Sequence, residues 1–523
     1  MTKRLCGAAL LTLLLAVHPS AAQELRIGLS AEPSSIDPLF FTFAPNNLVR
    51  THIFDQLVHF DGHGQLIPGL AESWESIDDT TWEFRLRPGV TFHDGSTLTP
   101  DDVAFSIDRA DKVPNSPGSF AVYTKAITGV EITGPLTLRV HTRSPDAYVP
   151  LNLGNIAIQA RHAAEGRKSE DFNSGAAAIG TGPYRFVEWR PGAQVVLSRN
   201  EMYWGVKPDW AKVTLRPLTT NATREVALMT GEADVIQAVP PQDAERLAAE
   251  PGLRIVRDLP FGVMLLALDQ FRDNPPLVFD ADGKPMERNP FKDRRVRLAF
   301  SKAINRDAIV QRIMGGAAAP AGQMLPDGYF GGSARLKPEV FDPDGARALL
   351  AQAGYPRGFQ VTLHGPNDRF PNDAATAQAV AQMLSRVGVK TEVVVLPSSV
   401  FYPRLSRSEF SFALFGWLTS EMLFALKGPL ATVDPARGWG AVNRSGYSNP
   451  HLDALLDRAQ TTFDDTSRAA LLAEASDVVM ADVAAIPLYH AMPLWGMRKT
   501  LTLDTKSRAH SLAANIHTAK PGE

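Results

Sequence analysis

A chain of 523 residues is too long for one compact core, so two or more lobes are expected. Its 44% hydrophobic and 21% charged residues are those of a soluble globular protein, and its 39 Gly and 39 Pro supply many turns without a low-complexity tract. A formal charge of −3, with no basic block and no interleaving of basic and aromatic residues, argues against nucleic acid as a partner.

The chain opens with Lys3 and Arg4, an apolar run over 5–17 that is too short for a comfortable membrane span, and the small residues Ser20-Ala21-Ala22. That pattern reads as a signal peptide, 1–22, cleaved before Gln23, which places the mature protein in the periplasm. Cys6, the one cysteine, precedes most of the apolar run, where lipid attachment is not expected. The mature chain is therefore predicted to be no lipoprotein, with no disulfide and no Cys-ligated metal. Loss of Lys3 and Arg4 leaves 51 basic against 56 acidic residues, a formal charge of −5. No later apolar stretch is long enough to span a bilayer.

"LRIGLS" then predicts a strand, "AEPSSIDP" a loop, and 44–57 a helix. In "TTWEFRLRPGVTFHDGSTLTPDDVAFSIDRA" Trp82, Phe84 and Leu86 alternate with Glu83, Arg85 and Arg87, the period of a half-buried strand. Pro88-Gly89 breaks it. Thr99 as N-cap, Pro100 at the first helical position and acids in the first turn start a helix, so Asp101 and Asp102 read as helix-start acids rather than a catalytic pair. "YRFVEWRPGAQVVLSRN" is a hairpin turning at Pro191-Gly192, and "NATREVALMTGEADVI" is a helix closed by Gly231 and followed by a strand.

Near residue 262 the texture changes to longer helices alternating with strands. Asp342 caps a helix with Pro343 at its first position, Gly354 ends it, and Gly388 separates a second helix from a strand. "FSFALFGW" is a strand, and two more helices precede a return to short strand-like segments near 485. This alternation predicts a partly parallel sheet with helices on both faces. The sequence holds no G-x-S-x-G, no H-E-x-x-H and no phosphate-cradling glycine loop, and His490 has no second His at i+3 or i+4. Neither catalysis nor a metal or other cofactor is predicted.

"WEFRLRPGVTFHDGSTLTPDDVAFSIDRA" resembles the segment shared by the periplasmic peptide- and nickel-binding proteins of ABC importers, the family 5 solute-binding proteins. "RIGLSAEPSSIDPLF", "GTGPYRFVEW", "MTGEADVI", "RRVRLAFSKAINRDAIV", "NRSGYSNPHLDALLDRA" and "IPLYHAMPLWGMRKTL" stand in family order over essentially the whole predicted mature chain. The resemblance implies an α/β, two-lobed flytrap fold with an extra subdomain in lobe one. Lobe one is expected at 23–61, 176–261 and 486–523, the inserted subdomain at 62–175, and lobe two at 262–485. It also implies a monomer that captures a di- or oligopeptide or related compound and delivers it to permease subunits in the inner membrane. A ligand sensor or chaperone, and an opine, glycoside, metal chelate or haem as ligand, remain open.

Glu32 sits at a strand end, where two-lobed α/β proteins bind ligand, and the resemblance puts its loop in the cleft. The resemblance makes Trp417 a stacking platform. Three residues later, where peptide binders carry an Asp for the ligand's ammonium, this chain has Ser420, with Glu421 next as a substitute. Phe120 and Tyr123 are the candidates for an aromatic reaching in from the subdomain, while Trp82 is expected to pack inside. Trp439, Asn443, Arg444 and Tyr489 complete the set, Arg444 as the partner of a carboxylate or of an interlobe acid.

Overall fold

Three large sheets organise the residues that the computed structural model describes, 24–505 and 512–520. The expected signal peptide lies outside the described residues. The first sheet has the strand order Leu253–Arg257, Leu494–Arg498, Val235–Ile236, Glu24–Leu29, Lys212–Pro217, Gln194–Arg199, Tyr184–Arg190. Glu24–Leu29 runs parallel to both its neighbours, so the loop after Leu29 leaves from a carboxyl edge. The hairpin turns at Gly192 with φ +74°, and the helix Asn221–Thr230 ends on Gly231 at φ +84°, both positions that glycine adopts without steric penalty.

The second sheet is ordered Val278–Phe279, Phe359–Pro366, Phe412–Trp417, Phe261–Leu268, Ile486–Ala491, Ala318–Pro320, with Val389–Leu396 also paired to Phe359–Pro366. Phe261–Leu268 is apolar at nearly every position because both of its faces are covered. Val263, Leu265 and Ala267 enter one core cluster, Met264, Leu266 and Leu268 the other. Helices cover both faces, as the alternating sequence predicted.

The third sheet is antiparallel, ordered Ala71–Asp78, Thr81–Leu86, Thr137–Thr142, Ile127–Gly134. Trp82, Phe84 and Leu86 all turn into its core. The helix Pro100–Arg109 starts as its sequence demands: the Thr99 N–H and hydroxyl both donate to the Asp102 carboxylate, at 2.9 and 2.8 Å. This unit is not a clean insertion over 62–175. Leu39, Leu57 and Val58 belong to its core, whereas Ala164 and Phe172 belong to that of the first sheet. Apolar side chains on both sides of the junction share one interior, so no linker separates the two units.

A buried ion pair ties the third unit to the first lobe. Arg109, on the subdomain helix, donates to both carboxylate oxygens of Asp37, at 2.8 and 2.6 Å, and to Gln159 Oε1 at 3.0 Å. Asp37 also accepts from Ser169 Oγ at 2.8 Å and from the Leu39 N–H at 3.1 Å. The guanidinium lies 4.6 Å from the centre of the Phe172 ring.

The chain passes between the two large sheets twice. Leu253–Arg257 lies in the first and Phe261–Leu268 in the second, so 258–260 is one crossing. The return lies later than the expected 486. Ile486–Ala491 pairs with Phe261–Leu268 and Ala318–Pro320 in the second sheet, and only Leu494–Arg498 rejoins the first. The apolar run "AAIPLY" is buried in lobe two, its strand starting at Ile486, and 492–493 makes the crossing.

Asp37→Ala would strand the Arg109 guanidinium in the interior. The expected loss is about 3–5 kcal/mol of stability, measured by urea unfolding followed by circular dichroism. The double variant Asp37→Leu/Arg109→Met should recover much of it.

Candidate ligand-binding site

Phe359–Pro366 runs parallel to both Val389–Leu396 and Phe412–Trp417, so three carboxyl ends share one edge of the second sheet. Ligand sites form at such edges because several loops converge on them. A cavity of about 410 Å³ lies there, walled by Phe370 and Arg369 from the first loop, Tyr402 and Leu405 from the helix Ser398–Ser406, Phe415, Trp417 and Leu418 at the end of the third strand, and Val442 and Arg444 from a later loop.

Trp417 is half-buried, and its indole N–H donates to the Phe424 carbonyl at 3.3 Å, which fixes the ring against the following helix. The far edge of the Phe370 ring abuts Gly416. A Cβ at 416 would come 2.5 Å from the Phe370 ring, so the platform depends on glycine there. Arg444 is half-buried, and its guanidinium makes no hydrogen bond or ion pair with any described residue. Burial pushes its pKa down from the usual arginine range. Neighbouring Asn443 holds the loop: its Nδ2 donates to the Ala431 and Tyr447 carbonyls at 2.9 and 2.8 Å, and Ser445 Oγ donates to its Oδ1 at 3.1 Å.

Several candidate residues lie elsewhere. Glu421 caps the helix Met422–Lys427: its two carboxylate oxygens accept from the Leu423 and Phe424 N–H groups at 2.9 and 2.8 Å. It faces a different cavity, of about 220 Å³, between Trp74, Trp82 and Tyr148 of the third unit and Phe330 and Arg468 of the second lobe. Trp82 is thus core on one side and cavity wall on the other, with its indole N–H donating to the Asp146 carbonyl at 2.9 Å. Burial is the largest influence on the Glu421 pKa and raises it from 4.5 to about 7, against the lowering effect of the two N–H donors, Arg468 and Lys427. The Ser420 carbonyl instead touches Gly64, whose missing side chain permits the approach: a Cβ there would lie 2.5 Å from that oxygen.

Phe120, 1% exposed, is a core residue of the third unit, and Tyr123 packs half-buried on the same core. Neither ring reaches out as an arm, because the unit's own small sheet claims them. Trp439 is likewise buried in the second lobe, with Arg437 3.8 Å and Lys427 5.3 Å from its ring centre. Tyr489 sits 1% exposed in the second lobe's other core cluster, its hydroxyl 3.3 Å from Thr376 Oγ1. The Glu32 carboxylate accepts from the Gly192 N–H at 2.5 Å, which spends it on the hairpin turn. Of the expected residues, the larger cavity brings together Trp417 and Arg444, with Asn443 behind. Sequence reasoning missed Arg369, Phe370 and Tyr402, whose shared position follows from parallel pairing of strands far apart in the chain.

Residues 65–424 match the model of bacterial extracellular solute-binding proteins, family 5 middle. The chain belongs to this family. Among relatives of this family 5 protein, a glutathione-binding protein GsiB from Pectobacterium atrosepticum is 30% identical over 478 residues, covering 88% of this chain and 87% of its own. Heme-binding protein A of Haemophilus influenzae is 27% identical over 481 residues, covering 85% and 83%. Among solved structures, the periplasmic binding protein DppA from Helicobacter pylori in complex with the peptide STSA superimposes with a TM-score of 0.73 at 25% identity, covering 95% of this chain and 98% of that one. The two-lobed architecture is therefore that of the family 5 binding proteins. The Helicobacter pylori protein is described as ABC transporter-associated, and no helix among the described residues of this chain is long and apolar enough to cross a membrane.

The raised pKa of Glu421 gives the family 5 protein a pH signature. The folded state holds this proton between about pH 4.5 and 7 while the unfolded state has released it, so stability falls as pH rises through that window, by about 3 kcal/mol in total. Glu421→Gln should lose that slope. Its neutral amide stands in for the protonated carboxyl, so the variant should be close to wild type near pH 5 and more stable than wild type by pH 8. Equal slopes in thermal unfolding at several pH values would contradict this assignment.

Proposed function

We propose that this family 5 protein is a monomeric periplasmic receptor that captures a small solute between its lobes and hands it to the permease of an ABC importer. In this reading the first 22 residues are removed on export. The single observation that carries the proposal is the cavity beside Trp417. It combines an aromatic platform with a cation lacking an internal partner, and it opens at the carboxyl edge of the lobe-two sheet, where loops converge. A concave, mostly apolar pocket with a few polar groups is the usual design for holding a small molecule. Nothing in the cavity resembles a nucleophile with an adjacent base, which favours capture over turnover.

The relatives' names indicate the range of ligands: glutathione, heme and a short peptide. A peptide or peptide-like compound fits the Trp417 platform, with its apolar part on the ring. The ammonium partner usual in peptide receptors is missing, since Ser420 is neutral and Glu421 is turned to its helix.

Protein purified without refolding should retain its ligand, which native mass spectrometry would weigh. With that ligand bound, small-angle scattering should show a smaller radius of gyration than after its removal. Trp417→Ala should weaken binding by about 1–3 kcal/mol in titration calorimetry, through lost aromatic contact, while leaving the fold intact. Unchanged affinity would place the ligand elsewhere.

A further inference from the structure

We infer that closure of the third unit onto the second lobe takes up a proton at Glu421, so that solute capture is linked to pH. The inference rests on the reading of this chain as a two-lobed receptor that shuts on its solute. It deepens that reading by naming a second ligand of the shut form, the proton.

The meeting surface is built from both sides. The Ala147 N–H of the third unit donates to the Gln460 carbonyl of the second lobe at 3.0 Å, and the Trp82 ring lies 5.6 Å from that of Phe463. A turn at 61–65 reaches across: the His63 ring meets the Tyr329 ring edge-on at 5.9 Å, and Gly64 abuts the Ser420 carbonyl. Among these contacts lies the cavity of about 220 Å³, walled by Trp74, Trp82 and Tyr148 on one side and by Phe330, Glu421 and Arg468 on the other. Parting the lobes would open this cavity to water. Shutting them seals Glu421, which is 8% exposed, against aromatic rings.

No cation neutralises that carboxyl. Its oxygens accept from the Leu423 and Phe424 N–H groups, and no described residue forms an ion pair with it. Lys427, on the same helix, donates to Gln460 Oε1 at 3.0 Å. Arg468, on the helix Asp465–Ala481, donates to the Thr462 and Phe463 carbonyls at 3.0 and 3.4 Å and pairs with Asp465. The third unit brings Tyr148, whose hydroxyl is buried with no hydrogen-bond partner among the described residues, and Asp146, whose carboxylate accepts from the Tyr148 N–H at 2.8 Å. An ionised Glu421 in the shut form is therefore poorly compensated, and a carboxyl taken out of water without a counter-charge holds its proton. Burial raises its pKa from 4.5 to about 7, and return to water on opening restores the ordinary glutamate range. Between those limits the shut form carries the proton and the open form does not, so shutting gains as pH falls through about 7. Burial also raises the Asp146 pKa and lowers that of Lys427, so the share of Glu421 is isolated by substitution.

Spin labels at Ile132→Cys in the third unit and Val433→Cys in the second lobe, both exposed positions, report the separation of the two by pulsed electron resonance. The measurement uses the exported protein, expected to lack Cys6, as purified and after stripping, alone and with millimolar Leu-Phe or glutathione. The ratio of shut to open protein should be about ten-fold higher near pH 6 than near pH 8. Glu421→Gln should abolish this dependence, and Asp146→Asn should keep it. Lys427→Met removes a cation that lowers the Glu421 pKa, so it should move the midpoint to higher pH, which decides the matter if Glu421→Gln fails to fold. The inference is overturned if the ratio is the same at both pH values, or if Asp146→Asn rather than Glu421→Gln abolishes the dependence. It is also overturned if Lys427→Met leaves the midpoint in place or lowers it, or if a single distance is found under every condition. The wider reading is judged separately, by comparing protein as purified with stripped protein. If the retained solute shortens the distance equally at every pH, the closing receptor stands and its proton linkage falls. If the distance is the same with and without that solute, the closing receptor itself falls.

Discussion

Two antiparallel strands leave the first sheet side by side and enter the second, and the division of the chain into two lobes depends on that double crossing. Arg257 pairs with Leu494 on one side and Phe261 with Ala491 on the other. Between them the ladder is reduced to the Asp258 N–H donating to the Pro493 carbonyl at 2.9 Å, braced by the Trp495 indole on Asp258 at 3.2 Å. Pro260 and Pro493 have no N–H to give, so continuous sheet pairing cannot extend through the crossing. Two lobes with separate cores are thus joined by two short strands whose hydrogen bonding is thinnest where they pass. Such a thin double connection is the kind of element at which two lobes can turn relative to one another.

The third unit stiffens one side of this arrangement. Its helix Pro100–Arg109 is pinned to the loop after the first strand by the Arg109–Asp37 pair, and its core merges with residues on either side of it in the chain. Its far edge meets the second lobe: the Ala147 N–H donates to the Gln460 carbonyl at 3.0 Å, and the Trp82 and Phe463 rings lie 5.6 Å apart. The small cavity containing Glu421 lies along this contact. Its polarity has a structural cause, a buried helix-capping carboxyl close to Arg468, whereas the larger cavity is walled by the half-buried Arg444, whose guanidinium pairs with no described residue. The two pockets therefore differ in kind: the smaller one is lined by a carboxyl whose oxygens the protein itself hydrogen-bonds, the larger one by a guanidinium that no described residue pairs with.

Two residues of the candidate cavity were legible in the sequence, and several other candidates lie elsewhere for a consistent reason. Trp417 was found because it ends an apolar strand at a place where the resemblance gives meaning, and Arg444 because it stands as a cation just before a helix start. Phe120, Trp439 and Tyr489 carry the same aromatic character yet are buried. In one dimension an aromatic facing a cleft and an aromatic filling a core look alike, because both lie beside turns and both follow apolar runs. Glu421 shows the same ambiguity for charge: a carboxylate just before a helix serves as well for capping N–H groups as for meeting an ammonium, and the helix is nearer.

What the sequence determined by itself is local. Strand alternation, the Thr99 and Asp342 helix starts, the glycines at 192 and 231 and the run of family motifs follow from side-chain sterics and hydrogen-bonding capacity over a few residues, so they can be read without the fold. Tertiary structure alone decided what depends on pairing between distant segments. Arg369, Tyr402 and Arg444 meet only because the strands Phe359–Pro366, Val389–Leu396 and Phe412–Trp417 lie parallel and release their loops at one edge. The return crossing falls after Ala491 rather than before Ile486 because that strand finds both its partners in the second sheet. Burial, which separates a ligand platform from a core ring, is a property of the packed chain as a whole, and no window of sequence contains it.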